Sequence, residues 1–199
     1  MRKLVPGVIA ALLLAALVNV LTTGPASVDL APLLALGERY EVRIIRDEFG
    51  VPHVYGRRDA DTAFGLAYAH AEDDFATIQD VILATRGQLA AVRGPDAAKT
   101  DYLIRLMGVW EAVDAGYDTL LSPSARQVAE AYADGINLYA ARHPGQVADF
   151  LLPVRGRDLV AGFAFKLPLF YGFDAVLGDL FSGAPRQLAR QGETALEFS

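Results

Sequence analysis

No cysteine occurs anywhere in the chain, which removes disulfide frameworks, zinc knuckles and thiol nucleophiles from consideration. A chain without disulfides suits any compartment, so this absence leaves location open. Runs of like charge are missing too, so there is neither a polybasic membrane arm nor an acidic tail. The net charge of −6 argues against nucleic acid as a partner, because phosphate binding needs a basic face. Histidine is scarce, and His53, His70 and His143 stand too far apart for a local metal motif. There is no G-x-S-x-G elbow, P-loop, H-E-x-x-H or paired C-x-x-C. Local motifs therefore assemble no hydrolytic site. Internal repeats and low-complexity tracts are also absent.

What is present suffices for one domain: 199 residues, 53% of them hydrophobic, can bury a sizeable core. The first 26 residues read as an export signal. Arg2 and Lys3 precede an apolar run from Leu4 to Leu21, interrupted strongly only by Asn19, and small residues come after it at Gly24 and Ala26. The run lies near the lower limit of a bilayer span, which favours a cleaved signal over a retained membrane anchor. In either case the folded part faces outward, periplasmic or secreted. The mature fold starts near Val28.

From Val28 to Gly37 an apolar stretch broken by Pro32 reads as a lead-in helix ending at Gly37. Tyr40 to Ile45 alternates polar and apolar residues, the period of a strand, and Val51 to Tyr55 forms a second short strand across the turn Arg46 to Gly50. Such a hairpin is not stable alone and calls for further strands, which the chain does not supply. Asp59 to Thr62 opens a long helix that runs, with a break, to about Arg86, where Gly87 supplies a stop. Gln88 to Val92 is one more turn, and Asp101 to Trp110 has helical apolar spacing throughout. Ser122-Pro123-Ser124 starts another helix, with Val128, Ala131, Tyr132, Gly135, Ile136 and Tyr139 on one face, ending before His143-Pro144-Gly145. Asp158 opens a segment through Phe163, Phe165 and Leu167 that Pro168 interrupts, and Asp174 to Phe181 is a short helix. The expectation is an α-rich α+β fold, mostly helices with one N-terminal β-hairpin.

Two clusters hold candidate chemistry. Glu72-Asp73-Asp74 offers three carboxylates, but adjacent helical positions point apart, so salt bridges are favoured over a shared ion. His70 falls on a face with Asp73 or Asp74 and is expected to meet one of them. The aromatic run Phe163, Phe165, Phe170, Tyr171 and Phe173 either lines an apolar pocket or fills core.

Four ordered segments resemble the penicillin acylase family of N-terminal-nucleophile hydrolases. Ile45-Arg46-Asp47-Glu48-Phe49-Gly50-Val51-Pro52-His53-Val54 is similar to its R-D-x-x-G-V-P-H-I signature. Asp59 to Asp74 resembles D-A-x-F-G-x-G-Y-x-x-A-x-D-R, Arg86 to Gly94 resembles R-G-x-x-A-x-x-x-G, and Ala131 to Asn137 matches A-Y-A-x-G-I-N. Asp74 stands where penicillin acylases carry arginine, which tilts the resemblance toward the acylases of homoserine lactones and lipopeptides.

The resemblance implies the α-chain part of an αββα N-terminal-nucleophile hydrolase fold. On that basis residues 1–26 are the signal, 27–182 the acylase α-chain region, and 183–199 a spacer or the start of a β chain. It implies an amidohydrolase acting on linear amides such as acyl-homoserine lactones, active only with a β chain from the same precursor. The β-lactam acylases are the alternative within the family, and a non-catalytic secreted helical binding module is the alternative outside it. The implied nucleophile is the serine that begins the β chain, its own α-amino group serving as general base with a pKa close enough to working pH to accept the proton. Ser199 stands where some members place that serine, although Phe198 replaces the glycine most carry before it. The implied acyl pocket is Leu167, Phe170 and Tyr171, counted along a late helix. No cofactor or metal is expected from this chain. Structural calcium in the full enzyme would be held mainly by the β chain, since Leu177 falls near the position of a calcium-binding glutamate.

Overall fold

The computed structural model of the protein describes residues 28–182. The expected export signal (residues 1–26), the expected spacer or β-chain start (183–199) and with it Ser199 lie outside the described residues.

Two long helices carry the core, α2 (Asp59–Thr85) and α6 (Pro123–Arg142). Each is rich in alanine, the best helix former, and each has a defined start. Asp61, at the third position of α2, accepts the backbone N–H of Arg58 at 3.0 Å and the Arg58 guanidinium at 2.6 Å. The Ser122 hydroxyl accepts the Ala125 N–H at 3.1 Å, and Pro123 occupies the first turn of α6, where its missing N–H leaves nothing unpaired. The helices cross closely because Gly135 has no side chain: a Cβ there would sit 2.8 Å from the Ala67 methyl. Ala67, Ala71, Phe75, Ile82, Leu83, Ala133, Ile136 and Ala140 fill the seam. Each large apolar side chain taken from water there contributes about 1.5–3 kcal/mol.

The expected break in α2 falls at Asp74, whose backbone (φ −153°, ψ 64°) leaves the helical region. Its carboxylate accepts the Thr77 N–H at 3.2 Å, so the residue that ends one helical stretch caps the next. The hairpin is the expected antiparallel pair, β1 (Val42–Arg46) with β2 (Pro52–Gly56), in the register Ile44 opposite Val54. It forms a two-stranded sheet among the described residues. Val42 and Val54 lie over Gly65 of α2, where a Cβ would be 2.8 Å from Val54 Cγ1. Ile45 and Tyr55 point the other way, into solvent.

Ahead of the hairpin, α1 (Ala31–Leu34) continues as a 3-10 turn to Arg39, two residues past the expected stop at Gly37. After α2 come α3 (Leu89–Arg93), α4 (Ala98–Leu106) and α5 (Val109–Gly116). The single helix expected over Asp101 to Trp110 is therefore two. Gly108 adopts φ +62°, a left-handed conformation that stops α4 and starts α5 while the apolar spacing runs on. Next, α7 (Gly156–Lys166) begins two residues before the expected Asp158, which instead accepts the Arg155 N–H at 2.8 Å as the third helical residue. A 3-10 turn, Leu167–Tyr171, comes next, and after Gly172 the chain bends by 80° into α8 (Phe173–Ser182). Among the described residues no single helix is long and apolar enough to cross a membrane.

Candidate substrate-facing surface

The family-like segments are structural clasps, each closing a turn or joining two elements. Asp47 accepts the N–H groups of Phe49 and Val51, both at 2.9 Å, and meets His53 Nε2 at 3.1 Å. The His53 bond and these backbone donors hold the Asp47 carboxyl below its ordinary range. Arg46 next to it bonds Gly50 O at 2.8 Å, Glu72 at 3.0 Å and Asp73 at 2.8 Å. The acidic triplet thus serves salt bridges to the hairpin and the cap at Thr77. His70 meets neither Asp73 nor Asp74 as a hydrogen-bond partner. Its Nδ1 lies 2.7 Å from the Tyr132 hydroxyl on α6, because the seam between α2 and α6 turns that face of α2 toward tyrosine.

Among the described residues Arg86 is the most heavily used side chain. It donates to both Asp158 oxygens at 2.7 Å, and to the carbonyls of Phe150, Leu151 and Pro153 at 2.7–2.9 Å. Asn137 brackets Val154, donating to its carbonyl at 2.7 Å and accepting its N–H at 2.8 Å. Glu130 accepts the Gly156 N–H at 2.9 Å and the Tyr117 hydroxyl at 2.5 Å. Burial, then the Glu130 bond, pushes the Tyr117 phenol well above its ordinary range, so it stays a hydrogen-bond donor. Near the hairpin, burial raises Asp134, whose carboxylate accepts from Tyr40 Oη at 2.7 Å and Arg39 at 3.2 Å. Asp61 is held at about 2 by the Arg58 guanidinium.

All of these contacts to α7 fall on its first turn or on the segment just before it. The far end is different. Phe163, Leu167, Phe170 and Tyr171 are 79%, 58%, 84% and 83% exposed. Phe163 and Leu167 are one α-helical turn apart, and Leu167 and Phe170 one 3-10 turn apart, so the three continue along one side. Phe165 turns inward instead, against the cluster of Ile104, Val109, Val113 and Ala161. The predicted pocket residues therefore come together on a 3-10 turn, at the interruption expected at Pro168, which lacks the N–H an α-helix would use. Of the aromatic run, Phe163, Phe170 and Tyr171 are neither core nor enclosed pocket. They form an open apolar tip. Phe163, named in the aromatic run but not selected by counting along the helix, joins it through its i, i+4 spacing to Leu167.

No cluster of three metal-ligating side chains occurs among the described residues. An open cleft beside Trp110, Arg86 and Phe150, with a volume of about 930 Å³, lies over the Arg86 clasp, away from the tip.

Known proteins share both the sequence and this architecture. Penicillin G acylase of Escherichia coli is 32% identical over 108 residues, 54% of this chain and 13% of that protein. The acyl-homoserine lactone acylase QuiP of Pseudomonas fluorescens is 33% identical over 125 residues, 63% of this chain and 15% of that protein. The chain thus spans about an eighth to a seventh of the length of these curated relatives. Among solved structures, a thermostable penicillin G acylase from Alcaligenes faecalis superposes with a TM-score of 0.51 at 24% identity, covering 74% of this chain and 77% of the matched one. That likeness establishes the fold. The penicillin amidase family model matches residues 41–177, from the start of the hairpin into α8, and the chain belongs to that family.

Proposed function

We propose that this chain is the α region of an exported amidohydrolase that cleaves the amide bond of N-acyl substrates, acyl-homoserine lactones foremost. The observation that carries the reading is the tip: large apolar side chains gathered in the open, at the end of a firmly seated helix, are what an acyl chain would lie against. Leu167, Phe170 and Tyr171 would supply that wall. The nucleophile, its amine and the donors for the oxyanion would come from a β region of the same precursor, with Ser199 as the proposed first residue of that region. A relative described as a proenzyme, penicillin acylase 2 of a Pseudomonas species, 29% identical over 100 residues, is in keeping with a processed precursor.

Asp74, in place of arginine, and the similarity to QuiP favour homoserine lactones. The similarity to the Escherichia coli penicillin G acylase favours the second reading, a β-lactam acylase. The test is turnover by the full-length precursor of an N-acyl homoserine lactone against penicillin G. Faster hydrolysis of the lactone supports the first reading, faster hydrolysis of penicillin G the second, and no turnover of either the helical binding module. Robust turnover by residues 28–199 alone would overturn the assignment of the chemistry to a β region. Loss of activity in S199A would support Ser199 as the nucleophile; full activity would move that role elsewhere.

A further inference from the structure

We propose that Glu130 is a positioning residue for acyl-chain selectivity, acting through α7. This rests on the reading of the tip as the acyl-facing wall. The α7 helix is seated by polar contacts at its first turn, and its middle packs through Ala161 and Phe165 against Ile104, Val109 and Val113. Beyond Lys166, Leu167, Phe170 and Tyr171 stand exposed, so the tilt set at the first turn is carried out to them. The grips differ in kind. Arg86 with Asp158, and Asn137 with Val154, are buried and tie the first turn of α7 and the loop before it into the core. Glu130 instead joins three elements through one carboxylate: α6, on which it sits, the end of α5 at Tyr117, and the first residue of α7 at Gly156. Arg157 stacks on the Tyr117 ring at 4.5 Å and pairs with Asp118 at 2.6 Å, completing the seat. The fit has no slack, since a Cβ on Gly156 would lie 2.5 Å from the Tyr117 hydroxyl and 2.7 Å from Glu130 Oε1.

A helix of 11 residues is nearly rigid. A tilt of about 5° at its root therefore moves its far end by about 1.4 Å, over a length of roughly 16 Å. Shifts of about 1 Å in a binding wall are enough to change rates by up to ~100-fold. Glu130 touches neither the tip nor, on this assignment, the substrate. Its influence is the angle at which the tip is presented.

The experiment compares kcat/KM for a long-chain and a short-chain N-acyl amide of one amine, using the full-length enzyme. In E130A the ratio of the two should change by about fivefold or more, a span that one or two methylenes of pocket contact cover. In E130Q, whose amide can still accept from Gly156 and donate to Tyr117, the ratio should stay within about twofold. An unchanged ratio in E130A overturns the proposal whatever happens to thermal stability, and so does an equal shift in E130Q. Should E130A fail to fold, Y117F decides: it keeps the ring under Arg157 and loses only the hydroxyl, so a shifted ratio supports the proposal and an unshifted one overturns it. F170A in the same series separates the two levels. No shift there sinks the acyl-facing reading itself, whereas a shift in F170A with none in E130A sinks only the role of Glu130.

Discussion

Ile136 and Phe170 are both large apolar residues on helical turns, yet one is fully buried and the other 84% exposed. The difference is regional. Around Ile136, two glycine- and alanine-lined helices close on each other, and buried polar clasps tie down the loop that leads to α7. Around Phe170 the same chemistry of side chain is left open, with no element of the described chain laid over it. Body and tip therefore obey different rules. In the body, apolar groups supply stability and polar groups supply geometry; at the tip, apolar groups are held out by geometry supplied elsewhere.

The contrast breaks first at its strongest point. R86A removes five hydrogen bonds and leaves Asp158, only 4% exposed on its side chain, without its charge partner. A loss of about 3–5 kcal/mol is expected, read as a fall in the denaturant midpoint. A loss under about 1 kcal/mol would mean that the loop before α7 is held by packing alone. G135A forces a methyl against the backbone of Phe64 and the Ala67 methyl, and should destabilise by about 1–3 kcal/mol, measured the same way.

Asp61 sharpens the comparison through pH. Its folded pKa of about 2 lies below the ordinary 3.8 because the Arg58 guanidinium and two backbone N–H groups favour the carboxylate. A depressed carboxyl stabilises the fold above its unfolded pKa, and that contribution fades as pH falls from about 4 through about 2. D61N should flatten the decline in thermal midpoint over that window. Asp134, raised by burial, adds stability as pH falls toward its unfolded value of 3.8, just before that window, and is untouched by D61N. The smallest effect on stability belongs to F170A, within about 0.5 kcal/mol of the parent, because an exposed ring gives up little on removal. A midpoint drop as large as that of G135A would show that the tip belongs to the body after all.

Much of the body is legible in the sequence. Alternation marks the hairpin, Pro123 after Ser122 marks the start of α6, and the ordered segments point to the family. The interruption of α2 is expected too, although only the structure puts it at Asp74 and shows that residue capping the helical stretch beyond it. Gly108 escapes because apolar spacing at Leu103, Leu106, Met107 and Trp110 persists through a left-handed glycine, and periodicity is blind to one φ angle. The clasps are out of reach for a different reason. Arg86 and Asp158 are 72 residues apart and Asn137 and Val154 17 apart, so no local pattern links them. At the tip, hydrophobicity marks the right residues without saying which way they face. Leu167, Phe170 and Tyr171 are expected on a helix beside an acyl group; they stand together on a 3-10 turn, and their role is a proposal.

The exposed tip also has a colloidal consequence. Four large apolar side chains gathered at one exposed tip are a self-associating surface, and the hairpin adds Ile45, Phe49 and Tyr55 elsewhere on the chain. A negative net charge of −6 is spread thinly over the whole molecule and does little to shield either patch at moderate salt. The proposed β region, laid over the tip, would act as its solubiliser, and residues 28–182 prepared alone are expected to carry their own glue.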